Sequence, residues 1–122
     1  MANVQSILNK LCDFKLFLDS CNPDLIILTE TWLSSSIPTS LFAQCHDHYV
    51  CRHDRLSRGG GVCVLIKKLC GRPISVNRVE LAEASQDLEI VAVDIAESNA
   101  ALPLRLIAVL ISKTEHQFNT LV

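Results

Sequence analysis

Asp24-Leu25-Ile26-Ile27-Leu28-Thr29-Glu30-Thr31-Trp32-Leu33 sets the centre of the fold. Four apolar residues directly after Asn22-Pro23-Asp24 predict a strand buried on both faces, as at the middle of an α/β sheet rather than on its edge. Glu30 follows the run and stands two residues before the only tryptophan, Trp32. A carboxylate at the carboxyl end of a central strand sits where open α/β sheets collect ligands, and a metal ion would go there. The plainer reading also fits: charges at element ends are ordinary, and Glu30 then only marks where the strand surfaces.

Working upstream, Ile7, Leu11, Phe14, Leu18 and Cys21 recur at alternating steps of four and three. That spacing draws one apolar stripe down an amphipathic helix ending before Asn22-Pro23, with Ser6 placed to cap its first turn. Met1 to Val4 is a strand stub. Stub, helix and central strand make a βαβ unit, whose connection is expected to be right-handed and whose strands are expected to be parallel. Both strand ends then reach one edge of the sheet, so Asn3 and Glu30 are expected to be neighbours.

Downstream, Ser34 to Gln44 reads as a surface connection with one helical turn near Thr39-Ser40-Leu41-Phe42. His48 to Asp54 and Val62 to Ile66 read as strands. Between them Arg58-Gly59-Gly60-Gly61 supplies the positive backbone angles of a tight turn; the Gly-Lys-Ser/Thr ending of a phosphate-cradling loop is missing. Three further strands are predicted after Gly71-Arg72-Pro73, at 74–81, 88–95 and 104–111, joined by hairpins and, at Ser98 to Pro103, a loop. The run Leu104 to Ile111 is almost continuously apolar and is expected to be buried.

At 122 residues the chain is expected to form one domain, or part of one, over 1–122. Apolar residues make up 49% and charged residues 20%, which excludes a disordered composition. With 11 Lys and Arg against 13 Asp and Glu, bulk charge does not recruit nucleic acid or anionic lipid, and any such partner must be held locally. No apolar run approaches the roughly 20 residues that span a bilayer, and no basic-then-apolar leader opens the chain. An intracellular protein is expected, with nucleus and cytoplasm not distinguished. The six cysteines, at 12, 21, 45, 51, 63 and 70, are accordingly expected to be reduced and largely buried.

Several residue groups invite chemical readings. Cys45-His46-Asp47-His48 with Cys51 and His53 offers soft zinc ligands, but no usual finger spacing. Strand alternation sends Cys51 and His53 to one face and His48 and Arg52 to the other, which favours strand and loop residues without a metal role. Asp54-Arg55 and Arg58 can touch phosphates or make a salt-bridged turn. His116 is a general base by type, but it lies in Thr114-Glu115-His116-Gln117, a capping box that opens a helix. The sequence stops at Val122, within about two turns of that cap. A strand stub at one end and an opening helix at the other predict a fragment of a larger domain.

Several segments, in order, resemble the endonuclease/exonuclease/phosphatase superfamily, specifically the endonuclease domain of non-LTR retrotransposon polyproteins. They are Asn3 to Lys10, Asn22-Pro23-Asp24 through Thr29-Glu30-Thr31-Trp32-Leu33, Tyr49 through Arg52, Asp54-Arg55, Gly59-Gly60-Gly61-Val62, and Leu88-Glu89-Ile90-Val91. The resemblance implies an α/β sandwich of two facing sheets, here its N-terminal portion and incomplete at the C-terminus. It implies a magnesium-dependent phosphodiester hydrolase, a nuclease that nicks DNA to prime an associated reverse transcriptase. By the same resemblance Glu30 binds Mg²⁺ and Asn3 is a catalytic-site residue supporting metal and nucleophile, while no small-molecule cofactor is implied.

The chain also departs from that family. Leu110 stands where a Tyr-Arg-Pro-Pro-like stretch would place an active-site tyrosine, and neither a Gly-Asp-Phe-Asn nor a Ser-Asp-His motif occurs. Without that aspartate and histidine these residues lack a general base and a transition-state donor. The expectation is a catalytically incomplete piece with weak or absent Mg²⁺ binding. The alternative is a noncatalytic protein-interaction module derived from the same fold, self-associating through exposed sheet surface.

Overall fold

The computed structural model describes residues 1–44, 47–57, 59–68, 74–80, 88–97 and 102–111. The chain is mixed α/β, mostly strand, with one α-helix and two sheets among the described residues. Strands β1 (Ala2–Asn3), β2 (Leu25–Thr29), β3 (His48–His53) and β4 (Val62–Lys67) form the first sheet in the order β1-β2-β4-β3. Strands β5 (Ile74–Val79), β6 (Leu88–Glu97) and β7 (Leu104–Ile111) form the second in sequence order. Every strand boundary expected from the sequence is met to within two residues.

Helix α1 (Leu11–Cys21) connects β1 to β2, which run parallel with Asn3 opposite Thr29. The remaining pairs are antiparallel, including the β3–β4, β5–β6 and β6–β7 hairpins. A single 3-10 turn at Thr39–Leu41 falls where the helical turn was expected.

Ser6 does not cap the helix. The chain keeps pairing like a strand through residue 7: Ser6 N–H donates to Glu30 O at 2.9 Å and Ile7 N–H to Thr31 O at 3.1 Å. Ser6 is held at φ +79°, so the first helical turn is delayed to a 3-10 segment at Leu8–Lys10 without a side-chain cap. The apolar stripe faces the sheet through Ile7, Leu11, Phe14 and Leu18, but Cys21 is exposed at the last helical position. The helix then ends at Asn22, whose left-handed backbone lets its N–H close on Leu18 O.

Two apolar layers result. One lies between α1, the 33–43 connection and the first sheet, and includes Ile7, Phe14, Leu28, Phe42 and Leu65. The other lies between the sheets, where Val62, Val64 and Ile66 of β4 meet Val91, Val93 and Ala108. Consequently β4, not β2, is the strand buried on both faces: Val62 to Ile66 are all buried, whereas Leu25 is exposed and Ile27 only half-buried. Both β2 and β4 are interior strands, but the second sheet packs over β4 and β3 rather than over β2.

Strand β7 is not buried as its composition suggested. It lies at the edge of the three-stranded sheet and packs on the first sheet by one face: Leu106, Ala108 and Leu110 turn inward, while Ile107, Val109 and Ile111 on the other face remain 50%, 43% and 53% exposed. Nor are the thiols largely buried. Of the four described, all free, Cys12 and Cys21 are exposed, Cys51 is half-buried and only Cys63 is buried. Burial pushes the Cys63 thiol up to about 12, with Arg52 opposing that rise. The capping box 114–117 with His116, and Cys45, His46, Arg58 and Cys70, lie outside the described residues.

Candidate functional site

Glu30 stands one residue beyond β2, at the same edge as the end of β1. The juxtaposition with Asn3 follows from register, since Asn3 pairs with Thr29 and Val4 N–H donates to Thr29 O at 3.0 Å. Asn3 is exposed and Glu30 half-buried. The backbone there is unusual: Glu30 and Trp32 both adopt positive φ, +57° and +56°. Such conformations disfavour residues with a Cβ and persist only where the surroundings impose them. Here two flanking segments do so. Residues 30–32 accept from Ser6 and Ile7 on one side and donate to the glycine turn on the other, Trp32 N–H to Gly60 O at 2.7 Å and Thr31 N–H to Gly61 O at 3.4 Å.

The left-handed kinks bring the Trp32 indole back over Glu30. Its Nε1–H donates to Glu30 Oε2 at 2.9 Å, fixing one carboxylate oxygen, while the indole stays 42% exposed. Thr31, between them, is fully buried. Gly61 holds φ +95°, and a Cβ there would collide with Thr31 Oγ1, so only glycine lets the turn approach this segment.

A second constellation, not recognised from the sequence, lies against the first. Glu89 on β6 points inward and is 3% exposed. Arg55 reaches it with a two-pronged pair, Nε to Oε1 and Nη2 to Oε2, both at 3.1 Å, and Gly61 N–H adds a bond to Oε1 at 3.3 Å. Paired and hydrogen-bonded, a buried carboxylate becomes tolerable. Donating to the Glu89 carboxylate holds the Arg55 guanidinium more firmly protonated than usual; burial opposes this, and the charges of Glu89 and Glu30 add to it.

Gly60 lies flat under that guanidinium, where a Cβ would stand 2.5 Å from Nη2 and closer still to Cζ and Nε. A Cβ on Gly59 would lie 3.6 Å from Arg55 Nη1 and 4.0 Å from Trp32 Nε1. The three glycines are thus the floor on which Glu30, Trp32, Arg55 and Glu89 converge. A charged residue at an inward position of an alternating strand was the available signal for Glu89, since such a charge needs a buried partner.

Asp54 and Arg55 do not pair with each other as a salt-bridged turn would have them. Asp54 instead takes Arg52, with Nη2 at 2.6 Å from Oδ2. Arg52 also donates to Ser34 O and Ile37 O, both at 2.9 Å, and to Thr39 Oγ1, fastening the 33–43 connection onto β3. Arg52 is therefore committed to structure. Alternation on β3 is as expected: Cys51 packs between the sheets, and His48 lines the opposite face. No group of three or more His, Cys, Asp or Glu that can hold a metal occurs among the described residues. Leu110 packs into the layer between the sheets.

A cavity of about 480 Å³, lined by Lys15, Asp19, His48, Lys67 and Lys68 among others, lies at the opposite end of the strands. It is separate from the Glu30 edge. No helix among the described residues is long and apolar enough to cross a membrane. No protein-family model, curated protein or solved structure matches the chain.

Proposed function

We propose that the chain is part of a magnesium-dependent phosphodiesterase domain of the endonuclease/exonuclease/phosphatase kind, with Glu30 as its metal carboxylate and Asn3 as a supporting site residue. The observation that carries this reading is the edge where β1 and β2 end together: Asn3 opposite Thr29, and Glu30 oriented by the Trp32 indole. Two sheets packed across a shared apolar layer accord with the two-sheet sandwich, and we take these residues as its N-terminal portion.

The donors at this edge suit a hard cation. A carboxylate and an amide oxygen are the ligand types Mg²⁺ takes, usually one or two carboxylates with waters and phosphate oxygens completing its shell. Such an ion supplies Lewis-acid polarisation of a phosphodiester and charge stabilisation at the leaving oxygen. The chain's own contribution is positional. Trp32 Nε1 fixes Oε2 of Glu30, and the backbone bonds from Ser6, Ile7, Gly60 and Gly61 hold the carrying segment in its left-handed course.

Neither the Gly-Asp-Phe-Asn nor the Ser-Asp-His motif is present in the sequence, so a positioned base and a transition-state donor are lacking. Each commonly supplies on the order of a hundredfold in rate, and both losses fall on one step. The expectation is weak Glu30-dependent metal binding without cleavage of DNA. Mn²⁺ titration followed by water proton relaxation, beside plasmid relaxation in Mg²⁺, tests it with the wild type and Glu30→Ala. A metal signal indifferent to Glu30→Ala removes the site assignment. Magnesium-dependent nicking that vanishes in Glu30→Ala shows that other residues complete the site.

One observation favours a second reading, a noncatalytic interaction module on the same fold. Ile107, Val109 and Ile111 form an exposed apolar row on β7, opposite Ala92, Ile90 and Leu88 of β6. An edge strand with such a row is suited to pairing with another chain. Concentration-independent monomers in sedimentation velocity would count against this reading.

A further inference from the structure

We infer that Arg55, held in place by Glu89 and Gly60, is a phosphate-contacting residue that engages a nucleic-acid backbone only when a divalent cation is present at Glu30. This rests on the reading of Glu30 as a metal carboxylate and adds a residue and a condition to it.

Three observations converge. The Arg55 guanidinium is locked in orientation by two bonds to a carboxylate that is itself 5% exposed at the side chain, and by the flat face of Gly60 beneath it. Arg55 is nonetheless 28% exposed at the side chain, so the cation stands at the rim rather than in the core. It also stands near the candidate metal ligand: the charge of Glu30 acts on it, and a Cβ placed on Gly59 would lie 3.6 Å from its Nη1 and 4.0 Å from the Trp32 indole nitrogen that holds Glu30. A pre-oriented planar guanidinium suits phosphate oxygens, because little freedom is lost when the contact forms. The neighbouring Trp32, 42% exposed, offers an indole on which a base can stack.

The condition follows from charge. Among the described side chains at this edge, Glu30 and Glu89 carry two negative charges against the one positive charge of Arg55, a balance that disfavours a phosphodiester. A divalent cation at Glu30 reverses the sign of the group to net positive. Arg55 then acts beside the cation, on a phosphate that neither would hold alone.

The test uses the purified chain, Mn²⁺ as the metal, and a fluorescein-labelled ten-nucleotide oligothymidylate at fixed ionic strength. Oligonucleotide binding is read by anisotropy with Mn²⁺ or with EDTA, and metal binding separately by water proton relaxation. The wild type is expected to bind the oligonucleotide at least about fivefold more tightly with Mn²⁺, a modest gain of the size one added charge contact gives. Arg55→Gln is expected to lose that gain while binding Mn²⁺ at least as tightly as the wild type, since a neighbouring positive charge is removed; Glu30→Gln is expected to lose both. Because Arg55→Gln strands Glu89, the double variant Arg55→Gln/Glu89→Gln, which replaces the ion pair by neutral amides, is measured in parallel with circular dichroism as the check on folding. A folded Arg55 variant that keeps the Mn²⁺-dependent gain overturns the inference, as does wild-type affinity unchanged by Mn²⁺ while Mn²⁺ itself binds at Glu30. Failure of Glu30-dependent Mn²⁺ binding instead overturns the metal-site reading on which it rests.

Discussion

Gly60→Ala should be far more costly than Gly59→Ala, although both glycines hold positive φ, +64° and +88°. The backbone penalty is common to both, about 1–2 kcal/mol for an L-residue in the left-handed region. The difference lies in what the added methyl meets. At Gly59 the nearest atoms are 3.6 and 4.0 Å away, ordinary contact distances. At Gly60 the methyl would overlap the Arg55 guanidinium, which cannot swing aside without releasing Glu89. Stranding one partner of a buried ion pair costs about 3–5 kcal/mol, and the partial exposure of Arg55 reduces this to about 2 kcal/mol. Gly60→Ala is therefore expected to lose about 3–4 kcal/mol, a large part of the roughly 5–15 kcal/mol that holds a domain together. Urea unfolding followed by far-ultraviolet circular dichroism gives both values. In a Glu89→Gln background the excess cost of Gly60→Ala should shrink to below about 1 kcal/mol, because the pair it breaks is already neutral on one side. Equal costs at the two glycines, or an undiminished excess in the Glu89→Gln background, would refute the claim that Gly60 is the seat of Arg55.

Thiol labelling at pH 8 in native buffer should modify Cys12 and Cys21 rapidly and Cys63 only after unfolding, since Cys63 is buried and its thiol is pushed up to about 12; peptide mapping by mass spectrometry reads this. His48 titrates below its ordinary 6.5 in the folded chain, chiefly because burial disfavours its charge, with Asp47 opposing and Lys67 reinforcing. Below pH 6.5 the unfolded chain takes up a proton that the folded chain resists, so stability should fall as pH drops towards the folded value and stay level above 6.5 on this account. His48→Gln should flatten that part of the urea-midpoint profile, and an unchanged slope would exclude His48 as its source. Ile107→Lys should lower self-association and hydrophobic-dye binding while leaving the β6–β7 pairing intact, because Ile107 faces outward; sedimentation velocity at several concentrations checks it.

The sequence by itself determined the order of the elements and the extent of the strands, though not where the helix begins. Apolar period and turn chemistry are local properties, and they marked α1, the 3-10 turn at Thr39 and all the later strands. The parallel pairing of β1 with β2 was also legible, because a helix between two strands restricts their connection. From that came the proximity of Asn3 and Glu30. What only the tertiary structure decided was which faces are covered. Val62 to Ile66 and Leu104 to Ile111 read alike as continuous apolar runs, yet β4 is enclosed in the middle of one sheet while β7 lies at the edge of another with one face open. Likewise nothing local sets Glu89 opposite Arg55, 34 residues apart in sequence. Their meeting depends on the second sheet packing over the first, and on three glycines letting two backbone segments approach closely enough for Arg55 to lie on one of them.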